Sequence, residues 1–79
     1  MLSFGRTFII IEQSSGLWGI EIKAAATVTR SDFKGLKKRQ AACVDDFVIG
    51  VVYYDGESIL PFGQQLYAVP ISVLMPIAA

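Results

Sequence analysis

The sequence predicts an α/β (α+β) domain: a mixed sheet of about five strands with one crossover helix, in the chain order β-β-α-β-β-β. Apolar runs rich in β-branched and aromatic residues recur along the chain, which is typical of strands. A stretch of helical periodicity separates the second run from the third, which indicates a crossover between parallel strands. Because 79 residues can bury only one small core, we treat residues 1–79 as a single domain.

The first two strands are expected to form a hairpin. Residues 4–12 (FGRTFIIIE) are an apolar run, and residues 17–23 (LWGIEIK) alternate between two faces. The QSSG segment between them has the composition of a turn. If positions 12 and 17 flank the turn, paired positions sum to 29, and Phe8 then lies opposite Glu21.

The crossover helix is expected from Asp32 to about Ala42. Ser31 is a good N-cap residue, and an aspartate is favourable in the first turn. We expect Leu36 on the helix, and Trp18 on the second strand, to be core residues. The apolar stripe of the helix follows the spacing i, i+3, i+7 and i+10 and consists of Phe33, Leu36, Gln40 and Cys43.

The third strand, residues 47–54 (FVIGVVYY), is apolar on both faces, which predicts an interior strand parallel to the second. The Asp55-Gly56 pair predicts a hairpin turn into an antiparallel strand at 58–62, and Pro61 favours a sheet edge there. The last predicted elements are a strand at 65–69 and a helical turn that begins at Pro70.

The composition predicts association with a second chain. Small cores usually need a disulfide, a metal or a partner. One cysteine, Cys43, cannot close an intrachain disulfide, and the lack of histidine excludes zinc sites of the Cys/His kind. Hydrophobic residues make up 53% of the chain and charged residues 18%. We therefore expect a homodimer or larger homo-oligomer.

Charge and hydropathy predict neither a nucleic-acid protein nor a membrane protein. Seven basic and seven acidic residues give a formal net charge of zero, so there is no bulk attraction to nucleic acid. The first apolar run is too short for a signal peptide. The apolar C-terminal segment is broken by Pro70 and Pro76 and is shorter than a membrane span. The expected location is the cytoplasm.

The triplet Glu21-x-Lys23 is the strongest candidate for a catalytic site. The period of two places both side chains on the same face of a strand. In metal-dependent phosphodiester cleavage such a carboxylate binds Mg²⁺ or Mn²⁺, and the lysine stabilises charge or orients water. Taken alone, the triplet is explained more simply as a surface ion pair, which contributes about 0–1 kcal/mol.

A basic helix face is the candidate for nucleic-acid contact. It consists of Lys34, Lys37 and Lys38, with Arg39 nearby. Contact with phosphates is the functional interpretation. A solvated helix face is the simpler one, and we prefer it because the whole chain is neutral.

Most of the chain, from about Leu17 to Leu74, resembles a known family. The segments that carry the resemblance are IEIKA, SDFKGL, and YDGESILPFG followed by AVPIS. The chain is similar to the C-terminal domain of unknown function of prokaryotic AAA-type P-loop ATPases, a domain with a restriction-endonuclease-like fold of the PD-(D/E)xK type. The resemblance implies an aspartate on the strand before Glu-x-Lys, and Glu21 and Lys23 take the second half of that motif.

The aspartate that the resemblance implies is missing. Its slot opposite Glu21 holds Phe8, and the neighbours Thr7 and Ile9 are not acidic either. Glu12 is the one acid on that strand, close to the turn. We therefore expect Glu21 and Lys23 to be vestigial, with weak metal binding at Glu21 if any.

These observations predict a non-catalytic, oligomeric interaction module derived from the nuclease-like domain of an ATPase, without a cofactor. The sequence has no P-loop G-x-x-x-x-G-K-[ST], so we expect a truncated, stand-alone remnant with a separate P-loop ATPase as a candidate partner. Two alternatives stay open. One is a metal-dependent nuclease that uses Glu21, Lys23 and a displaced acid, Glu12, with Mg²⁺ or Mn²⁺. The other is an orphaned gene fragment without a selected function.

Overall fold

The computed structural model describes residues 6–74 and contains a five-stranded mixed sheet with one α-helix, as the sequence predicts. The strands are β1 (Arg6–Gln13), β2 (Gly16–Lys23), β3 (Phe47–Tyr54), β4 (Leu60–Gly63) and β5 (Leu66–Pro70). The helix is α1 (Lys34–Ala42), and 3-10 turns occupy Arg30–Phe33 and Ile71–Leu74. The predicted terminal helical turn is present, but it begins at Ile71 and not at Pro70, because Pro70 is the last residue of β5.

The sheet has the spatial order β1-β2-β3-β5-β4. β2, β3 and β5 are mutually parallel, and each edge strand is antiparallel to its neighbour. The predicted hairpin register is confirmed along its whole length, since each pair from Arg6 opposite Lys23 to Gln13 opposite Gly16 sums to 29. The parallel pairing of β2 with β3 is confirmed as well.

The predicted hairpin between β3 and the fourth strand is wrong. β4 pairs with β5 and not with β3, and β5 takes the place beside β3 with Gly50 opposite Leu66. The Asp55-Gly56 dipeptide lies in a bend after β3, where the Tyr54 hydroxyl donates a hydrogen bond to the Ser58 carbonyl oxygen at 2.6 Å. The tight turn that the dipeptide favours is therefore replaced by a longer connection to the far edge of the sheet. The predicted edge position of Pro61 is confirmed.

The helical segment begins earlier than predicted, and with a different cap. Thr29, not Ser31, is the N-cap, in an extended conformation at φ −123° and ψ 171°. A 3-10 turn at 30–33 leads directly into α1. Ser31 instead exchanges a hydrogen bond between its hydroxyl and that of Thr29 at 2.9 Å.

The core lies between α1 and one face of the sheet, which we call the helix face. Leu36 is fully buried there, as predicted. It fits into a hollow formed by Gly19 on β2 and Gly50 on β3, which are register partners. A Cβ atom at Gly19 would lie 2.5 Å from Leu36 Cδ2, and one at Gly50 would lie 3.3 Å from the same atom. The two glycines thus allow the helix to approach the sheet closely. The other core residues are Leu17, Phe33, Phe47, Val52, Tyr54, Leu66 and Ala68.

The opposite face of the sheet, which we call the open face, is also apolar. The prediction that Trp18 is a core residue is wrong: its side chain lies on the open face and is only half-buried. The strand period places there the residues of odd number on β1 and the even-numbered apolar ones on β2. The open face consists of Thr7, Ile9, Ile11, Gln13, Trp18, Ile20, Ile22, Ile49, Val51, Tyr53, Pro61, Tyr67 and Val69.

Candidate functional site

The Glu21-x-Lys23 triplet lies at the carboxyl end of β2 on the helix face. The face is fixed by the strand period, since Gly19, two residues earlier, lies against Leu36 of the helix. Glu21 is buried, with 6% of its surface exposed. Lys23 keeps 20% of its side chain exposed. The two residues therefore do not form the solvated surface pair that the sequence allows.

Lys23 forms an ion pair with Asp32, at 2.7 Å between Nζ and Oδ2. Asp32 is itself buried, with 6% of its surface exposed. The same Oδ2 atom accepts a hydrogen bond from the backbone N–H of Thr29 at 2.8 Å and a longer one from the Thr29 hydroxyl at 3.4 Å. One carboxylate thus connects the end of β2 to the start of the helical segment.

The local sequence explains why Asp32 reaches this position. Thr29 is extended and the chain turns into a 3-10 helix directly after it, so residue 32 returns over the N-cap. There its carboxylate accepts the Thr29 N–H, and its own backbone N–H donates to the Thr29 carbonyl at 3.0 Å. This is the capping-box arrangement with an aspartate at its third position. It holds the carboxylate where Lys23 can reach it.

Phe8 occupies the slot opposite Glu21, as the sequence predicts. Its ring lies over the start of α1, since a Cβ atom added to Gly35 would lie 3.6 Å from ring carbon Cε1. Phe8 as a whole residue is 45% exposed. An aromatic ring therefore stands where the resemblance implies an aspartate.

Glu12, the predicted displaced acid, does not lie beside Glu21. It is opposite Leu17 at the other end of the hairpin. Positions 8 and 12 are four residue steps apart along the strand, which is about 13 Å at roughly 3.3 Å per step. Its side chain is exposed.

Asp32 is a site residue that the sequence does not predict as one, because an aspartate at that position is explained by its favourable place in the first helical turn. A signal was present. In a strand–helix–strand crossover the helix begins above the end of the preceding strand, so a lysine that ends the strand and an acid that begins the helix are neighbours. Within residues 6–74 no group of three or more His, Cys, Asp or Glu residues is placed to hold a metal ion.

The lysines of the basic helix face and the tyrosines of the sheet lie on separate surfaces. Lys34, Lys37 and Lys38 are all exposed on α1. Tyr54 is buried, and its hydroxyl donates a hydrogen bond to the Ser58 carbonyl oxygen, whereas Tyr53 and Tyr67 lie on the open face. The open face also contains a groove of about 320 Å³, lined by Ile11, Gln13, Trp18, Ile20, Ile49, Val51 and Tyr53.

Comparisons with known proteins give one match. The sequence model of a protein family described as "Domain of unknown function (DUF4143)" matches residues 8–74. No curated protein and no solved structure matches the chain significantly. Among the helices of residues 6–74, none has the length and apolar character needed to cross a membrane.

Proposed function

The chain belongs to the DUF4143 family, a known C-terminal domain of AAA ATPases, and on that premise we propose that it is a non-catalytic interaction module that self-associates. Its sheet and helix are, in this proposal, a reduced restriction-endonuclease-like core whose catalytic site has been lost. The partner class beside a second copy is a separate P-loop ATPase, because the family is otherwise joined to one.

The ion pair between Lys23 and Asp32 carries this proposal. A catalytic lysine of the Glu-x-Lys type has to direct its ammonium group at the reacting phosphate or water. Here the ammonium group is directed at a buried carboxylate that also caps a helix. Breaking such a pair has a high free-energy cost, because it leaves a buried charge without its counter-ion. The arrangement is that of a structural clamp between strand and helix.

The open face supports the second half of the proposal. Thirteen side chains of the described sheet face away from α1, and none of them is charged. Two-sided apolar sheets are normally covered on both faces. Contiguous apolar patches of several hundred Å² are typical of interaction surfaces.

One observation favours a second candidate function, a metal-dependent nuclease. Asp32 is a carboxylate near Lys23, and it follows Glu21 closely in the chain. In this version the displaced acid is Asp32 and not Glu12, and Mg²⁺ or Mn²⁺ would compete with Lys23 for the carboxylate. Oxygen ligands of this kind suit both ions.

A cleavage assay separates the two candidates. The purified protein is incubated with supercoiled plasmid and linear duplex DNA in the presence of Mg²⁺ or Mn²⁺. We expect no cleavage above that of the Glu21→Gln variant, which conserves size and removes the charge. Metal-dependent cleavage that disappears in both Glu21→Gln and Asp32→Asn, and persists in Glu12→Gln, would establish the nuclease and overturn the proposal.

A further inference from the structure

The two edges of the sheet differ in how well they are protected against pairing. β4, at one edge, has only four residues, contains Pro61, and has a register shift between Pro61 and Gly63. Short strands, prolines and bulges are the usual means by which proteins prevent an edge strand from pairing with another chain. This edge is therefore closed to pairing.

β1, at the other edge, has none of these features. It has eight residues in unbroken register with β2, and it contains no proline. Between Thr7 and Ile11 it carries no charge. Three of its large apolar side chains are exposed, with exposed fractions of 45% for Phe8, 40% for Ile9 and 38% for Ile11. A long, regular, apolar edge strand is the kind that pairs with a strand of another chain.

The charged residues of β1 indicate which strand would pair best with its free edge. The strand has one cation and one anion, Arg6 and Glu12. When a strand pairs antiparallel with a copy of itself about a two-fold axis normal to the sheet, the paired positions add up to a constant even number, and directly opposite residues share a face. If that number is 18, Arg6 of each copy lies opposite Glu12 of the other, and Ile9 lies opposite Ile9. No other register brings these two opposite charges together.

We propose that the edge of β1 is a self-association surface, in which a second copy of this chain pairs antiparallel with β1 about a two-fold axis at Ile9. The inference rests on the proposed self-association and specifies its surface, direction and register. The two sheets become one continuous sheet of ten strands, with the helix faces on one side and the open faces on the other. The dimer then has opposite charges at two directly opposed pairs of positions, with an uncharged strip of Thr7, Phe8, Ile9, Ile10 and Ile11 between them.

Cysteine cross-linking tests the register directly. In a Cys43→Ala background, Ile9→Cys places two thiols directly opposite each other, with Cα atoms about 4.5–5.5 Å apart, which is within disulfide range. Ile11→Cys is the matched control, since it lies on the same face with nearly the same exposure. In the proposed register its copy lies about 13 Å away along the strand, too far for a disulfide. We expect mild copper-catalysed oxidation to convert Ile9→Cys, and not Ile11→Cys, to a covalent dimer.

Charge reversal provides a second test that does not depend on a new thiol. Glu12→Arg places like charges opposite each other twice in the dimer, and we expect its dimer dissociation constant to rise about tenfold. Combining it with Arg6→Glu restores opposite charges in the same register, so the double variant should recover most of the loss. Sedimentation equilibrium measures the constants, and circular dichroism verifies that each variant is folded.

Each outcome has a defined meaning. A dimer that persists in sedimentation while neither cysteine cross-links overturns the β1 edge but leaves the proposed self-association intact. Equal cross-linking of both cysteines, or a double charge variant no better than Glu12→Arg, overturns the register. A protein that is monomeric at concentrations of tens of micromolar overturns the inference together with the self-association on which it rests.

Discussion

At the scale of single residues, Asp32 has two roles in one carboxylate oxygen. Oδ2 accepts one hydrogen bond from the Lys23 ammonium group at 2.7 Å and another from the Thr29 backbone N–H at 2.8 Å. The N–H would otherwise be one of the unsatisfied donors at a helix start, and the Lys23 side chain is four-fifths buried. Both donors therefore depend on the same acceptor.

Substitutions at Asp32 should separate its two roles. Asp32→Asn keeps an acceptor for the Thr29 N–H but loses the charge, whereas Asp32→Ala loses both. We expect Asp32→Ala to cost about 2–4 kcal/mol of unfolding free energy, and Asp32→Asn distinctly less. Urea denaturation measures both, and Glu57→Gln, an exposed acid, is the control expected to stay within about 0.5 kcal/mol.

A double-mutant cycle with Lys23→Met attributes part of this cost to the ion pair. Methionine keeps the apolar stem of the lysine and removes the charge. If the clamp exists as described, the coupling energy between positions 23 and 32 lies in the range of about 0.5–3 kcal/mol. Additive effects of the two substitutions would show that Lys23 and Asp32 act independently.

Leu36 and Trp18 differ in burial, and their truncation should differ accordingly. Leu36 is fully enclosed between the helix and the two glycines of the sheet, so Leu36→Ala should cost about 2–5 kcal/mol. Trp18 is half-buried on the open face, and we expect Trp18→Ala to cost less than Leu36→Ala in spite of the larger side chain. Thermal denaturation of the two variants at equal, low protein concentration decides the order.

At the scale of elements, a glycine of β2 and a glycine of α1 have opposite expected effects when they are replaced by alanine. A methyl group at Gly19 meets Leu36 Cδ2 at 2.5 Å, so Gly19→Ala should overpack the core and cost about 1–3 kcal/mol. A methyl group at Gly35 meets only the Phe8 ring at 3.6 Å, an ordinary contact, and the residue lies in α1. Gly35→Ala should therefore stabilise the protein by about 0.5–1 kcal/mol.

The paired measurement is sensitive to the position of the helix over the sheet. Chemical denaturation of both variants should give shifts of opposite sign. Equal shifts would mean that α1 does not approach the sheet at the glycine hollow, and the packing described for Leu36 would then be incorrect.

Some elements could be predicted from sequence because their signals are local. The short turn with its flanking strands determined the β1–β2 register, and the doubly apolar run of β3 indicated an interior strand parallel to β2. The pairing of β4 could not be predicted in this way. Asp55-Gly56 favours a tight turn, but the parallel pairing of β3 with β5 occupies the edge that such a hairpin needs. That competition involves residues far apart in sequence.

The candidate site was predictable to the same extent. The pairing of Phe8 with Glu21 followed from the hairpin register alone. The pairing of Lys23 with Asp32 depends on where the crossover returns over the sheet, nine residues later. Because the N-cap is Thr29 and not Ser31, the helical segment begins two residues earlier than the sequence predicts, and Asp32 lies back over the cap.

At the scale of the whole molecule, the two faces of the sheet are unequal. α1 packs on the helix face, while the open face has exposed or half-buried Ile9, Ile11, Trp18 and Tyr67 among its residues. This asymmetry, together with the long β1 edge, is the physical basis for expecting association. Association through either surface would require neither a metal ion nor a disulfide.

Self-association should couple stability to concentration. Anything that binds the folded state and not the unfolded state raises the unfolding midpoint by mass action. We expect the thermal midpoint to rise by a few degrees for each tenfold increase in protein concentration, over a range that spans the dimer dissociation constant. Scanning calorimetry at several concentrations measures this. A midpoint that is constant from micromolar to hundreds of micromolar would indicate a stable monomer.

The position of β5 between β3 and β4 also affects the rate at which the chain folds. The central strand β3 is paired with β2, whose residues lie about 31 positions earlier in the chain, and with β5, whose residues lie 16 positions later. Each pairing requires a long loop to close before any ladder hydrogen bond forms, and topologies of this kind fold on the order of milliseconds to seconds. During that interval the apolar strand segments are exposed to solvent, because they have not yet paired with their neighbours. The rate of refolding, compared with the rate of aggregation, should therefore set the yield of this chain at high concentration.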